Sequence, residues 1–308
     1  MLSVIIPTYN RLEKLQKTLR CLAEQTLSKE NFEVIVVDDG STDGTKDFME
    51  NSFSSKDLSW KYFSLQHGGP GKARNLGIEK SSGDLILFCG DDTHPAKDLL
   101  EIHKKHHENK SGTALLGIAL WNEEEKTTQY MHYLAPAGPQ FHYNTIKDTA
   151  NAGFDHFYTC NISLAKKWLV EEKFDERFVN GAFEDIELGL RLEKKGLKIF
   201  FEKSAKVFHS HYYDEENFSS RMEKVGRAFV LFLNKYRQDN KTFFLLKRKY
   251  APFLFFPGIK LFLFMSQVMA ESKLVKSLNL RYHWFWQICF SYAKGIDKEK
   301  RDFNHSIF

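Results

Sequence analysis

The stretch "LILFCGDDTHP" (85–95) is an apolar run that ends in two adjacent acids, Asp91 and Asp92. Burying a carboxylate pair at a strand tip costs desolvation and mutual repulsion. A hard divalent cation offsets that cost, because Mg²⁺ or Mn²⁺ takes oxygen ligands, often one or two carboxylates plus ligand phosphates. A solvated turn ahead of a helix starting at Pro95 satisfies the same residues. "FEVIVV" (32–37) ends in Asp38-Asp39-Gly40. These acids can shape a turn and cap the next helix, or accept hydrogen bonds from a ligand's NH or OH groups. Glu184 and Asp185 open a helical stretch, where the helix dipole favours acids. One of them can also serve as a general base toward a hydroxyl. In "AKVFHSH", His209 and His211 share a side if the segment is extended, which admits a metal role beside a purely structural one.

"GGPGKARNLG" (68–77) looks like a phosphate loop but lacks the GxxxxGK[ST] spacing. Its glycines, Gly71 among them, permit close backbone approach, and Lys72 and Arg74 bring positive charge near the acids. Arg74 is equally suited to a salt bridge and to a diphosphate contact. In "PTYN", Pro7 ends a strand and Asn10 stands at a helix N-cap position.

The elements that position these residues follow from hydrophobic patterning. "LSVIIP", "FEVIVV", "WKYFSL" and "DLILFC" read as strands, each followed by a helical pattern, and "TALLGIALW" (113–121) as a further strand. Continuous apolar strands alternating with helices predict an α/β fold: a mostly parallel, Rossmann-like sheet covered by helices. Ligands in such sheets bind beyond the carboxyl ends of the strands, so the polar clusters should converge on one edge. After residue 121 the pattern loosens, and 122–157 reads as polar loop. "LKIFFE" and "AKVFHSH" read as two strands, 183–196 as a helix stopped by Gly196, and 215–238 as helix.

The chain has 308 residues, 42% of them hydrophobic, enough for a large core. Cys21, Cys89, Cys160 and Cys289 lie far apart with no CxxC spacing, so neither a zinc knuckle nor a disulfide framework is suggested, which fits a reducing cytosol. The run after Met1 is too short, and lacks the basic leader, for a signal peptide. Net charge is +4 but uneven. Residues 241–308 hold twelve Lys and Arg against four Asp and Glu, while 1–240 hold 32 against 36. Body and tail are expected to meet different partners; none is expected to be a nucleic acid.

Taken together, "VIIPTYNR", "VVDDGSTDGT", "GPGKARNLGI", "GDLILFCGDDT", "FDERFVNGAFEDIELGLRLEKKG" and "AKVFHSH" resemble the family 2 glycosyltransferases, over about residues 2–225 and in the family's order. The resemblance implies the GT-A fold and inverting transfer of a sugar from a nucleotide-diphosphate donor to a glycan or lipid-linked acceptor, as in cell-surface polysaccharide biosynthesis. It implies that Pro7, Thr8, Tyr9, Asn10, Arg11 and Asp39 hold the base and ribose. Gly71, Lys72, Arg74 and Asn75 are implied as donor contacts. Asp91 and Asp92 match the family's DxD position, which binds Mn²⁺ or Mg²⁺ and the diphosphate. The first acid of that motif aligns with Gly90, a departure that points to Asp92 on the cation and Asp91 on the ribose or a water ligand. Asp185 is implied as catalytic base with Glu184 second, and His209, rivalled by His211, as the late metal-side histidine. The expected domains are a catalytic domain over 1–225, with a nucleotide-binding half (1–121) and an acceptor and catalytic half (122–225), and a helical, aromatic-rich extension over 226–308.

Two other classes compete. A sugar nucleotidyltransferase carries a glycine-rich basic loop directly after its first strand, where this chain has "PTYNR". A non-catalytic sugar-nucleotide-binding protein has no use for Glu184-Asp185 and His209. The extension holds "KRKYAPFLFFPGIKLFLFMSQVMAE", interrupted by Pro252, Pro257 and Lys260, so it is marginal as a membrane span. With Lys247, Arg248, Lys249, Lys273, Lys276, Arg281, Tyr282, Trp284 and Trp286 around it, segment 241–290 suits an anionic membrane surface or a packed subdomain. The expected location is cytoplasmic, with a peripheral position on the inner face of the membrane as the variant.

Overall fold

The computed structural model describes residues 1–52, 58–250 and 259–305. Pro252 and Pro257 lie outside the described residues. The chain forms two compact units, Met1–Tyr212 and Tyr213–Phe308. This division precedes the expected boundary at 225, because a cut there would sever one continuous helix, Glu215–Lys235.

The first unit is built on an eight-stranded sheet. Its strands are β1 (Leu2–Thr8), β2 (Phe32–Asp38), β3 (Trp60–Ser64), β4 (Leu85–Cys89), β5 (Thr93–Pro95), β6 (Ala114–Trp121), β7 (Asn161–Ala165) and β8 (Ile199–His209). They lie in the order β3-β2-β1-β4-β7-β6-β8-β5. The β3-β2-β1-β4 block is parallel, as continuous burial of β1 and β2 requires. β7 runs antiparallel to both β4 and β6, while β6 and β8 are parallel. The helices are α1 (Leu12–Ala23), α2 (Thr45–Asp47), α3 (Pro70–Lys80), α4 (Leu99–Asn109), α5 (Gln129–Leu134), α6 (Lys166–Glu171) and α7 (Glu184–Lys194).

Register carries the site to one edge. Thr8 pairs with Asp38, Cys89 with Asn161, and Trp121 with His209. The carboxyl ends of β1, β2, β4, β6 and β8 therefore share an edge with the start of the reversed β7.

Local readings change in four places. Pro95 does not start a helix: it closes β5, which pairs with β8 through Thr93 and His209, and α4 begins at Leu99. The two strands expected near 197–211 are one, with an irregularity opposite Gly117 and Ile118. Gly117 admits it, since a Cβ there would lie 2.3 Å from the Ala205 carbonyl, which instead accepts from Asn161 Nδ2 at 3.0 Å. The 122–157 segment contains α5, capped by Thr128 Oγ1 accepting from the Met131 amide. Six residues are too few for a periodic signal. Asn10 is not an N-cap: it is left-handed at φ 52°, which asparagine tolerates, and Asp43 Oδ2 accepts the Leu12 amide at 2.9 Å instead.

The second unit is helical: α8 (Glu215–Lys235), α9 (Asn240–Tyr250), α10 (Ile259–Glu271), α11 (Lys273–Leu278) and α12 (Leu280–His305). Asp214 caps α8 in a reciprocal capping box with Asn217. α8 packs along α12, and α10 packs on α12. Among the described residues no helix is long and apolar enough to cross a membrane.

Candidate active site

The turn after β4 holds the acid pair, with Asp91 and Asp92 only 5% and 7% exposed. A single guanidinium nitrogen of Arg11 reaches both, at 3.0 Å from Asp91 Oδ1 and 2.8 Å from Asp92 Oδ2. Thr8 Oγ1 donates to Asp91 Oδ2 at 2.9 Å. From the end of β8, His209 Nε2 lies 3.6 Å and His211 Nδ1 3.4 Å from the Asp92 carboxylate. Lys14 of α1 stands 3.2 Å from His211 Nδ1. Burial works against ionisation of both acids. For Asp92 the nearby His209, His211 and Arg11 outweigh it and hold the carboxyl well below the usual range. For Asp91 burial prevails over Arg11 and the pKa rises.

Asp39 organises a second cluster. Its oxygens accept from the Gly68 and Gly69 amides, both at 2.8 Å, and its Oδ2 lies 2.9 Å from His67 Nδ1. His67 stacks on the exposed ring of Tyr9 with centroids 4.3 Å apart. A Cβ on Gly69, at φ 90°, would lie 2.8 Å from the Val179 backbone, so α3 opens flush against the loop leading to α7. Asp38 turns the other way, accepting from the Ser41 amide and from Tyr62 OH.

α7 supplies the third acid pair. Phe183, just before it, is left-handed at φ 64°, a strained conformation for a bulky residue. Glu184 is buried, and its Oε1 accepts from Arg74 Nη1 at 2.9 Å. Asp185 is half-buried and is bonded to the main chain of Ile186 and Thr159. Desolvation, with Glu184 beside it, pushes its carboxyl up to about 7 against the pull of Arg74. Cys160, one residue past Thr159 and just ahead of β7, lies within electrostatic reach of both Asp185 and Asp92.

Not every candidate faces this edge. Asn75 exchanges hydrogen bonds with the Phe174 main chain and Glu176, so it anchors the loop before α7. Gly71 is packed under Phe174 and Asp175. Lys72 Nζ lies 3.5 Å from the Gln66 carbonyl, its side chain folded over Gly68. Pro7 sits inside β1, opposite Val37. Conversely, Lys14, His67 and Cys160 belong to the site without having been singled out. His67 immediately precedes the quoted glycine loop, and Lys14 lies one turn beyond Arg11. Nothing in the sequence marks Cys160.

The fit to a divalent cation rests on the donor set. Arg11 and the nearby Lys14 offset the charge of the two carboxylates, and two imidazoles flank Asp92, so the cluster offers the oxygen and nitrogen donors that Mn²⁺ accepts. Among the described residues no three His, Cys, Asp or Glu side chains close on one ligating point. A pocket of about 290 Å³ adjoins the histidines, lined by Asn122, Glu125, Lys126, Met131, His209, His211 and Tyr212.

The mixed sheet flanked by helices matches the GT-A glycosyltransferase fold. The family model for glycosyl transferase family 2 matches residues 3–171, and the chain belongs to that family. YfnE of Bacillus subtilis, an uncharacterized glycosyltransferase, is 28% identical over 256 residues, covering 68% of this chain and 64% of that protein. Validoxylamine A glucosyltransferase of Streptomyces hygroscopicus subsp. jinggangensis is 32% identical over 223 residues, covering 64% and 52%. The matched part of the chain thus spans between half and two thirds of the length of these relatives. Among solved structures, the mannosyltransferase PcManGT of Pyrobaculum calidifontis in complex with GDP-Man and Mn²⁺ superposes with TM-score 0.68 at 16% identity, over 98% of this chain and 87% of that one. S. aureus TarS 1–349 in complex with UDP-GlcNAc gives 0.56 at 19% identity, over 98% and 92%. At these identities the likeness is one of fold.

Proposed function

We propose that the chain is an inverting glycosyltransferase that moves a sugar from a nucleotide-diphosphate donor to a hydroxyl of a glycan or lipid-linked acceptor. The observation that carries this reading is the placement of the half-buried Asp185 on the main chain of Thr159, two residues before the β7 residue Asn161 that pairs with Cys89 just ahead of the Asp91-Asp92 turn, with its pKa raised to about 7. A carboxylate so placed is basic enough to accept a hydroxyl proton near neutral pH. Glu184 is the poorer candidate because Arg74 already holds it. The acceptor oxygen attacks the anomeric carbon opposite the leaving diphosphate while Asp185 takes its proton. One displacement inverts the configuration.

Asp39, Thr8 and the Tyr9–His67 stack supply hydrogen-bond acceptors and an aromatic face suited to a nucleoside. Asn10 shapes the same turn through the Thr42 amide. Arg11 and Lys14 bring fixed positive charge to where a diphosphate would leave. Asp92, with His209 or its rival His211 beside it, would hold Mn²⁺ or Mg²⁺, which when bound would neutralise charge on the leaving group, while Asp91 would face the ribose or a water ligand. The pocket beside His209 and His211 favours the acceptor side, since α5 forms part of its wall. PcManGT and TarS, whose complexes hold GDP-Man and UDP-GlcNAc, make these two donors the first to test.

The test is hydrolysis of UDP- and GDP-sugars with Mn²⁺ present, alongside the thermal stabilisation each donor confers. Asp185→Asn should reduce turnover by about a hundredfold or more, the usual weight of a general base, while donor still stabilises the protein. Unchanged turnover in the variant overturns the base assignment. No stabilisation by any nucleotide sugar overturns the function.

A further inference from the structure

The apolar stripe on α10 has no use in sugar transfer at the acid cluster. Leu261, Phe264, Met265 and Val268 recur at helical spacing, so they form one face about 100° wide. All four are at least 50% exposed. The opposite side packs inward: Ser266 and Ala270 are buried, and Phe262 meets Trp286 of α12 at 6.4 Å between centroids. Exposed Leu274, Tyr282 and Phe285 follow on α11 and α12. Lys273, Lys276 and Arg281 are exposed among them, with Glu271 the one acid in that stretch.

We propose that this stripe seats the protein on an anionic phospholipid surface. An exposed face carrying Phe, Leu, Met and Val gains by leaving water. Interspersed lysine and arginine are attracted to anionic headgroups. At thirteen residues α10 is about 20 Å long, short of a bilayer's hydrocarbon core, so it lies in the interface rather than across it. A second copy is the poorer occupant, because a like face brings further lysine and arginine rather than the anionic groups that Lys273, Lys276 and Arg281 complement.

The test is co-sedimentation of the full chain with vesicles of phosphatidylglycerol and phosphatidylcholine in equal parts, against phosphatidylcholine alone. Binding should require the anionic lipid and weaken with salt. Phe264→Ser with Val268→Ser should weaken it by about tenfold or more. Lys273→Glu with Lys276→Glu should remove the preference for anionic vesicles. Because all four positions are exposed, nucleotide-sugar hydrolysis in solution should be unchanged in both variants, and the charge variant stands as evidence if the apolar one misfolds. Absence of vesicle binding by the parent protein, or binding that neither variant alters, overturns the proposal. So does a concentration-dependent dimer that the apolar variant dissolves, since a second copy then covers the stripe.

Discussion

Arg74 is the residue at which two readings of the motif part. The resemblance makes it a donor contact, yet its guanidinium lies 2.9 Å from Glu184 and is nearly enclosed. A buried pair broken from one side leaves an uncompensated charge, at a cost of about 3–5 kcal/mol. Arg74→Met is therefore expected to lower thermal stability markedly. It also removes the cation that restrains the Asp185 carboxyl, so the acid limb of the pH–rate profile should move to higher pH. Arg74→Lys should restore most of both. A variant with an unmoved profile and only a weakened donor KM returns Arg74 to the donor side.

At the scale of elements, α8 and α12 approach so closely that each contributes a glycine. A Cβ on Gly295 would stand 2.0 Å from the Glu223 carbonyl, and one on Gly226 2.1 Å from that of Tyr292. No rotamer relieves contact with a backbone oxygen, so the helices must separate. Gly295→Ala is expected to cost about 1–3 kcal/mol despite its better helix propensity. Urea unfolding followed by Trp284 and Trp286 fluorescence measures it, and a neutral or stabilising result would contradict the close crossing. In the first unit, β7 also makes a buried polar link. Asn161 bridges His103 of α4 to the Ala205 carbonyl of β8.

That histidine matters to the whole molecule. His103 is fully buried between Ser163 Oγ and Asn161 Oδ1, and desolvation lowers its pKa to about 3. His107 next to it is lowered to about 4, again chiefly by desolvation. Unfolded imidazoles take up protons below about pH 6.5, whereas these stay neutral in the fold. Their contribution is intact above pH 6.5 and is lost as pH falls toward 4. For His103 the slope approaches about 1.4 kcal/mol per pH unit. Denaturant midpoints at pH 7 and pH 5 should differ accordingly, and His103→Gln should flatten the difference. An acid limb identical in the variant would assign the loss to other groups.

Periodicity alone determined the alternating strands and helices of the first half, because buried parallel strands are written as unbroken apolar runs. The position of the acids at strand ends was legible for the same reason: a polar cluster must follow where such a run stops. Short elements escaped, since the six residues of α5 and the three of β5 are stabilised by Trp121, Thr128 and His209 rather than by their own pattern. Only the tertiary structure decided who meets whom. Arg11 reaches acids 80 positions away, Arg74 finds Glu184 at 110, and Asn161 comes beside Cys89, just ahead of the acid pair, because β7 runs backwards beside β4. Contacts between distant residues depend on strand order and register, and neither is encoded in the spacing of a single segment.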